Sequence, residues 1–217
     1  MERSGRFRVY RVVESVPHIN VQAVDSPTLY SVYRSGYGEL QPTVDALETG
    51  DLIEATLAGD PDDDAEPWRL TALDRVDRVR TAFAVAVDPP EVARECWTPD
   101  RTEPAYTVLT EDGAPVGVCG VQPRAPLPNG AFVPSVVTGL LPLESEFGSV
   151  PELGDPAVEA VFLDPDPPDA SSYAWPYGVV YLFTRPSTAL ATRLTDRYDC
   201  PLGADTRPAF DPYALRR

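Results

Sequence analysis

Hydrophobic and polar positions alternate in short runs along the first third of the chain, which is the pattern of half-buried β-strands. In the first run, two apolar residues, Phe7 and Val9, alternate with three polar ones, Arg6, Arg8 and Tyr10. Glycine, proline and aspartate, which favour turns, separate the runs. The pattern predicts five strands, at residues 6–13, 19–24, 28–34, 51–58 and 67–76.

Several short strands close together in the sequence favour a small closed barrel, because closure leaves no strand edge exposed. The segment Gly50–Leu73, which has a glycine before its first strand and a hairpin after it, resembles the later strands of an OB-like barrel. An SH3-like barrel would have much the same pattern. We therefore predict a small β-barrel of one of these two types at residues 1–80.

The remaining sequence predicts a second domain at residues 81–217. Apolar residues recur every three or four positions from Leu73 to Val87, which marks a joint between the domains. Asp88, followed by two prolines, is typical of a helix start. The predicted elements are a helix at residues 89–97, a hairpin at 105–110 and 115–122 around Asp112-Gly113, strands at 157–164 and 177–184, and a helix at 185–198.

Residues 123–156 are rich in proline and glycine and predict an irregular segment. The four predicted strands of the second domain assemble most simply into an antiparallel sheet covered by one or two helices. The fold class predicted for the chain is therefore α+β, with an N-terminal barrel followed by an antiparallel sheet domain.

The composition is strongly acidic, with 34 aspartates and glutamates against 18 basic residues and a net charge of −16. Every basic residue is an arginine, because the sequence contains no lysine. High negative charge keeps a protein soluble in concentrated salt, and this composition resembles that of proteins from halophilic archaea. We therefore interpret the acidic clusters as solvated surface.

Missing residue types exclude several classes of enzyme. Without lysine, the chain forms no Schiff base and has no P-loop lysine. His18 is the single histidine, which excludes multi-histidine metal centres. Three widely spaced cysteines and no apolar run of the ~18 residues that a membrane span needs predict a cytoplasmic protein without a membrane partner.

The sequence favours neither of two kinds of metal site. The acidic stretches at residues 60–66 and 164–169 lack the glycine and distal glutamate of a calcium-binding loop. Cys96, Cys119, Cys200 and His18 equal a zinc ligand set in number, but none of them lies in a local ligand pair. We predict no metal ion and no cofactor.

The candidate binding residues are arginines and tyrosines. If the apolar residues of the first strand face the barrel interior, then Arg6, Arg8 and Tyr10 share the opposite face. Tyr33 and Arg34 follow on a later strand. Arginine and tyrosine together suit single-stranded nucleic acid, but the net charge opposes a polyanion and favours a protein or small ligand. The sequence predicts a non-enzymatic binding or accessory module with one of these partners, and it does not indicate the oligomeric state.

A hydrolase-like enzyme is the alternative, with a cleft at the domain joint near Trp97 and a cysteine or carboxylate as its reactive group. Cys96 and Cys119 are the candidate nucleophiles, with His18 as the base. The apolar neighbours of Cys119 favour its burial, and no GxSxG motif is present. A perturbed cysteine or carboxylate in an enclosed pocket would favour the enzyme, whereas an open groove of arginine and tyrosine would favour the binding module.

The order of segments is similar to that of uncharacterised haloarchaeal proteins with a barrel-like N-terminal region and a C-terminal VVY…RL-D-Y segment. Val179-Val180-Tyr181 and Leu194-Thr195-Asp196-Arg197-Tyr198 carry this resemblance. It implies an OB-like barrel region at the N-terminus. It implies no known activity, so no functional residue follows from it.

Overall fold

The computed structural model describes residues 1–13, 18–63 and 66–209, and the chain divides into two compact units. The first unit comprises Met1–Val79 and Val137–Glu144, and the second comprises Arg80–Val136 and the described residues from Ser145 onward. The sequence placed residues 137–144 in the second domain, whereas in the structure they pack with the first unit. Each unit contains a five-stranded sheet and helices, so the α+β prediction is confirmed.

The first unit contains a sheet of antiparallel neighbours in the order β3-β2-β1-β4-β5. Its strands are β1 Glu2–Val13, β2 His18–Ala23, β3 Leu29–Tyr33, β4 Asp51–Ala58 and β5 Arg69–Arg78, and helix α1 Gln41–Asp45 lies between β3 and β4. One face of the sheet forms the core of the unit, because alternate side chains of each strand point to the same side. The core includes Phe7, Val9, Ile19, Val21, Tyr30, Val32, Ile53, Leu57, Trp68 and Leu70.

The two outermost strands of this sheet meet at one point. Val32 of β3 and Trp68, which precedes β5, form an isolated parallel bridge. Tyr33 N donates to the carbonyl oxygen of Trp68 at 2.9 Å, and Trp68 N donates to that of Ser31 at 2.8 Å. The beginning of β5 therefore runs beside β3.

The second unit contains a mixed sheet in the order β6-β9-β10-β8-β7. Its strands are β6 Arg80–Val85, β7 Ala105–Glu111, β8 Ala114–Pro123, β9 Glu159–Asp164 and β10 Tyr177–Phe183. The four predicted strands are present, but the prediction of a wholly antiparallel sheet is wrong because β6 pairs with β9 in parallel. The sequence did not indicate β6, whose apolar residues continue the spacing of three or four that precedes it.

More helices accompany this sheet than the one or two predicted. They are α2 Glu91–Cys96, α3 Phe132–Thr138, α4 Glu144–Gly148 and α5 Ala189–Tyr198. The proline- and glycine-rich composition of residues 123–156 concealed α3 and α4. In the part of the chain that the structure describes, no helix is long and apolar enough to cross a membrane.

Side chains from helices cover both faces of the second sheet. Odd-numbered residues of β10, such as Tyr181, pack with α2 and α5, so the even-numbered residues face the other side. On that side Phe132 approaches Gly178 so closely that a Cβ there would lie 2.1 Å from ring atoms. Glycine at position 178 is therefore needed for the helix α3 ring to reach the sheet.

Candidate binding site

A cavity of about 370 Å³ lies in the first unit, beside the ends of three strands and the loop that precedes β5. Its aromatic lining consists of His18, Tyr30 and Trp68. The Tyr30 and Trp68 rings pack edge to face with centroids 5.2 Å apart, and both residues are buried in the core. Two well-packed rings therefore give one side of the cavity a fixed shape.

Charged side chains complete the lining, and most of them are acidic. Asp60, Asp63 and Glu66 are exposed carboxylates in the loop before β5. Arg3 contributes one positive charge, with its guanidinium carbon 5.9 Å from the centroid of the Tyr30 ring. The net charge of the lining is therefore negative at neutral pH.

His18 adds no positive charge to this lining near neutral pH. Burial lowers the pKa of His18 below its ordinary value, because desolvation disfavours the imidazolium form. The neutral imidazole packs edge to face on the Tyr33 ring, with centroids 5.5 Å apart. His18 therefore links the cavity to the outer surface of β3.

Tyr33 supports an arginine on this outer surface. The guanidinium carbon of Arg69 lies 4.4 Å from the centroid of the Tyr33 ring, which is cation–π distance. Tyr37 donates its hydroxyl proton to the carbonyl oxygen of Tyr33 at 2.6 Å and so holds the backbone there. We call the group of His18, Tyr33 and Arg69 the Tyr33 platform.

Arg3 and Arg69 both keep their N–H donors unused. Within residues 1–13, 18–63 and 66–209, neither side chain makes a hydrogen bond or a salt bridge. Other arginines are paired with carboxylates, namely Arg8, Arg78, Arg80, Arg94, Arg124 and Arg207. One guanidinium group, that of Arg3, thus lines the cavity beside Tyr30, and a second, that of Arg69, lies on the ring of Tyr33, which contacts the cavity residue His18.

The prediction that Arg6, Arg8 and Tyr10 share one exposed face is wrong. Arg6 is exposed, but Arg8 and Tyr10 are 4% and 2% exposed. Alternation along β1 does place these residues on the face opposite the core. It cannot reveal that a segment distant in sequence covers that face. Residues 137–144 pack there, and Arg8 donates to both carboxylate oxygens of Glu144 at 2.7 and 2.8 Å.

Two of the predicted binding residues, Tyr33 and Arg34, come soon after the β3 residues that line the cavity, and Tyr33 is the direct strand partner of the cavity residue His18. Tyr33 is half-buried in the Tyr33 platform, and Arg34 is exposed at the end of β3. Their role in binding stays a prediction. The sequence did not indicate Arg3 or Arg69, because only the folded arrangement of the strands brings them beside Tyr30 and Tyr33.

Of the two thiols proposed for the enzyme alternative, Cys119 is buried and is a poor nucleophile. Cys96, Cys119 and Cys200 are free. Burial raises the pKa of Cys119 to about 12 and that of Cys200 to about 11, so both remain protonated at neutral pH. Among the residues described, no group of three or more histidine, cysteine, aspartate or glutamate side chains is placed to hold a metal ion.

The sequence profile of a family of unknown function (DUF6663) matches residues 1–203, and the chain belongs to this family. No curated protein matches the chain. The similarity to an uncharacterised family is therefore confirmed, and the family description assigns no activity to any residue of the cavity.

Proposed function

We propose that this chain is a non-enzymatic binding module that holds a basic side chain of a partner polypeptide in the cavity of the first unit. The observation that carries the proposal is the lining, in which aromatic rings lie beside three carboxylates and one guanidinium. Carboxylates attract a cation by charge, and a ring face attracts it through the quadrupole of the ring. The buried, protonated thiol of Cys119 makes the hydrolase-like alternative weaker.

We also propose that the first unit is an OB-like barrel. The strand order, the helix between β3 and β4, and the parallel bridge between Val32 and Trp68 support this assignment. OB-like barrels bind ligands on the face of their second and third strands and at the loops that follow the first and fourth strands. The cavity is lined by residues of β2, of β3 and of the loop after β4, which is consistent with that use.

A polypeptide suits the cavity better than a nucleic acid does. The chain carries a net charge of −16, and the three carboxylates of the lining repel phosphate groups at short range. Single-stranded nucleic acid is therefore the second candidate. Its support comes from Arg3 and Arg69, which form no salt bridge within the described residues. A partner protein with an exposed arginine is the first.

Neutralising the lining is expected to weaken binding of a basic group. We expect the variant with Asp60→Asn, Asp63→Asn and Glu66→Gln to bind N-acetyl-arginine amide about tenfold more weakly than the unchanged chain. The estimate takes about 0.5 kcal/mol for each exposed charge pair. Titration followed by nuclear magnetic resonance at constant salt measures both affinities.

A charge-matched control separates the cavity from the general acidity of the protein. Asp100→Asn, Glu103→Gln and Asp112→Asn remove the same charge from exposed positions of the second unit. This control should bind the probe within about twofold of the unchanged chain, because these three residues do not line the cavity and salt screens charges that do not contact the ligand. An equal loss in both variants, or no binding by the unchanged chain, would refute the proposal.

We propose further that the acidic surface is an adaptation to concentrated salt, as in halophilic archaea. The melting temperature should rise steadily between ~0.05 and ~2 M potassium chloride, because salt shortens the range of repulsion to about 3 Å at 1 M. Thermal unfolding followed by circular dichroism measures this change. A melting temperature that is indifferent to salt would remove this explanation of the net charge of −16.

A further inference from the structure

We infer that the partner segment is dipolar: beside the basic side chain it carries a carboxylate, which the Tyr33 platform binds through Arg69. This inference rests on the proposed function and specifies its ligand. The site would then recognise a short extended peptide segment with one positive and one negative side chain.

The first support is the state of Arg69. Arg69 is exposed and lies on the Tyr33 ring, but it makes no salt bridge to any part of the chain that the structure describes. Its N–H donors are therefore available to an incoming carboxylate.

The second support is preorganisation. The Arg69 guanidinium rests on the Tyr33 ring, which restricts its motion, and a planar guanidinium binds a carboxylate through two parallel hydrogen bonds. Because the side chain is already ordered, binding loses less conformational entropy. Arg6 and Arg34 are also exposed, but within the described residues neither forms a salt bridge or lies on an aromatic ring.

The third support is the position of the platform beside the cavity. His18 lines the cavity and also packs on Tyr33, and these two residues are direct partners in the pairing of β2 with β3. Direct cross-strand partners have Cβ atoms about 5 Å apart. In an extended peptide, side chains two residues apart point the same way and lie about 7 Å apart. One peptide can therefore reach the cavity with its first side chain and Arg69 with its third.

Arg3 contributes to the same selection from inside the cavity. Its guanidinium lies beside Tyr30, so the cavity accepts only one further positive charge, and Arg69 on the Tyr33 ring repels a second one. A segment with two basic side chains is therefore disfavoured relative to one with a basic and an acidic side chain.

Two short peptides test the inference on the full chain. Ac-Arg-Ala-Glu-NH2 carries both charges, and Ac-Arg-Ala-Gln-NH2 carries the positive charge alone. We expect the dipolar peptide to bind about three- to tenfold more tightly, since a second linked contact adds to the first without a new loss of overall freedom. Chemical-shift titration at constant salt gives both affinities.

Variants of the platform identify the group responsible. Arg69→Gln should remove the advantage of the dipolar peptide and leave the affinity for the Gln peptide unchanged. Arg75→Gln is the matched control, because Arg75 is an exposed arginine on the same strand as Arg69 and makes no ring contact within the described residues. This control should preserve the advantage, and melting temperatures should show that both variants remain folded.

The outcomes separate this inference from the proposed function. Equal affinities for both peptides in the unchanged chain would overturn the dipolar ligand but leave a cavity that binds a basic group. An advantage that persists in the Arg69→Gln variant would also overturn it. If neither peptide binds, both proposals fail, and Arg69-dependent binding of oligothymidylate would then assign the platform to phosphate.

Discussion

Replacing Arg124 by alanine is expected to lower the free energy of unfolding of the second unit by about 3–5 kcal/mol. Arg124 is 5% exposed and its guanidinium forms salt bridges to Asp164 and Asp166. It also donates to the carbonyl oxygens of Trp175 at 2.8 Å and Gly130 at 2.9 Å. One side chain thus joins the ends of two strands to the loops that follow them.

The loss is large because two carboxylates stay buried after the substitution. Asp164 is 0% exposed and Asp166 is 6% exposed. Backbone N–H groups still donate to them, including Val133 N to Asp164 and Trp175 N to Asp166. These neutral donors do not replace the positive charge, so two negative charges remain close together in a poorly solvated place.

Urea denaturation followed by circular dichroism measures this loss. Arg94→Ala is the matched control, because Arg94 forms an ion pair with Asp88 in which the two side chains are 44% and 71% exposed. The control should cost less than about 1 kcal/mol, since solvent screens an exposed pair. Similar small losses in both variants would show that the Arg124 cluster does not stabilise the second unit.

Local patterns were sufficient to predict most strands. Alternation between apolar and polar residues located the five strands of the first unit, and the Asp112-Gly113 pair located the hairpin of β7 and β8. Both signals depend on residues that are close in sequence, because a strand face or a tight turn is set locally. Strand β6 has no such signal, because only its parallel pairing with β9 defines it.

Contacts between distant residues account for the errors at the candidate site. The face of Arg8 and Tyr10 is covered by residues 137–144, and nothing in the pattern of β1 encodes that cover. Arg69 reaches Tyr33 because β5 begins beside β3. The sequence named Tyr33 as a candidate binding residue, but it could not indicate that Arg69 lies on the Tyr33 ring, since strand order is not a local property.

The segment 137–144, which covers Arg8 and Tyr10, provides the second prediction with a large expected effect. Replacing Glu144 by alanine is expected to lower the free energy of unfolding of the first unit by about 3 kcal/mol, because it leaves the buried Arg8 guanidinium without its carboxylate. Arg8 retains its hydrogen bond to the carbonyl oxygen of Gly50 at 2.9 Å. A neutral carbonyl oxygen offsets only part of the cost of burying that charge.

A double variant tests whether stability depends on the Arg8–Glu144 ion pair itself or falls only when one member of the pair is removed. Arg8→Met with Glu144→Met should lie within about 1 kcal/mol of the unchanged chain, because apolar side chains of similar volume often replace a buried ion pair at little cost. Glu48→Ala is the control, since Glu48 is 57% exposed in its ion pair with Arg78 and should cost less than about 1 kcal/mol. Suppose instead that Arg8→Met and Glu144→Met each lower the free energy of unfolding only slightly, and that the two losses add up in the double variant. The ion pair then does not hold residues 137–144 on β1. Other contacts would then keep the segment in place, among them the close packing of Gly139 on Leu29 and Tyr10 and the hydrogen bond that Asn20 Nδ2 donates to the carbonyl oxygen of Thr138 at 2.9 Å.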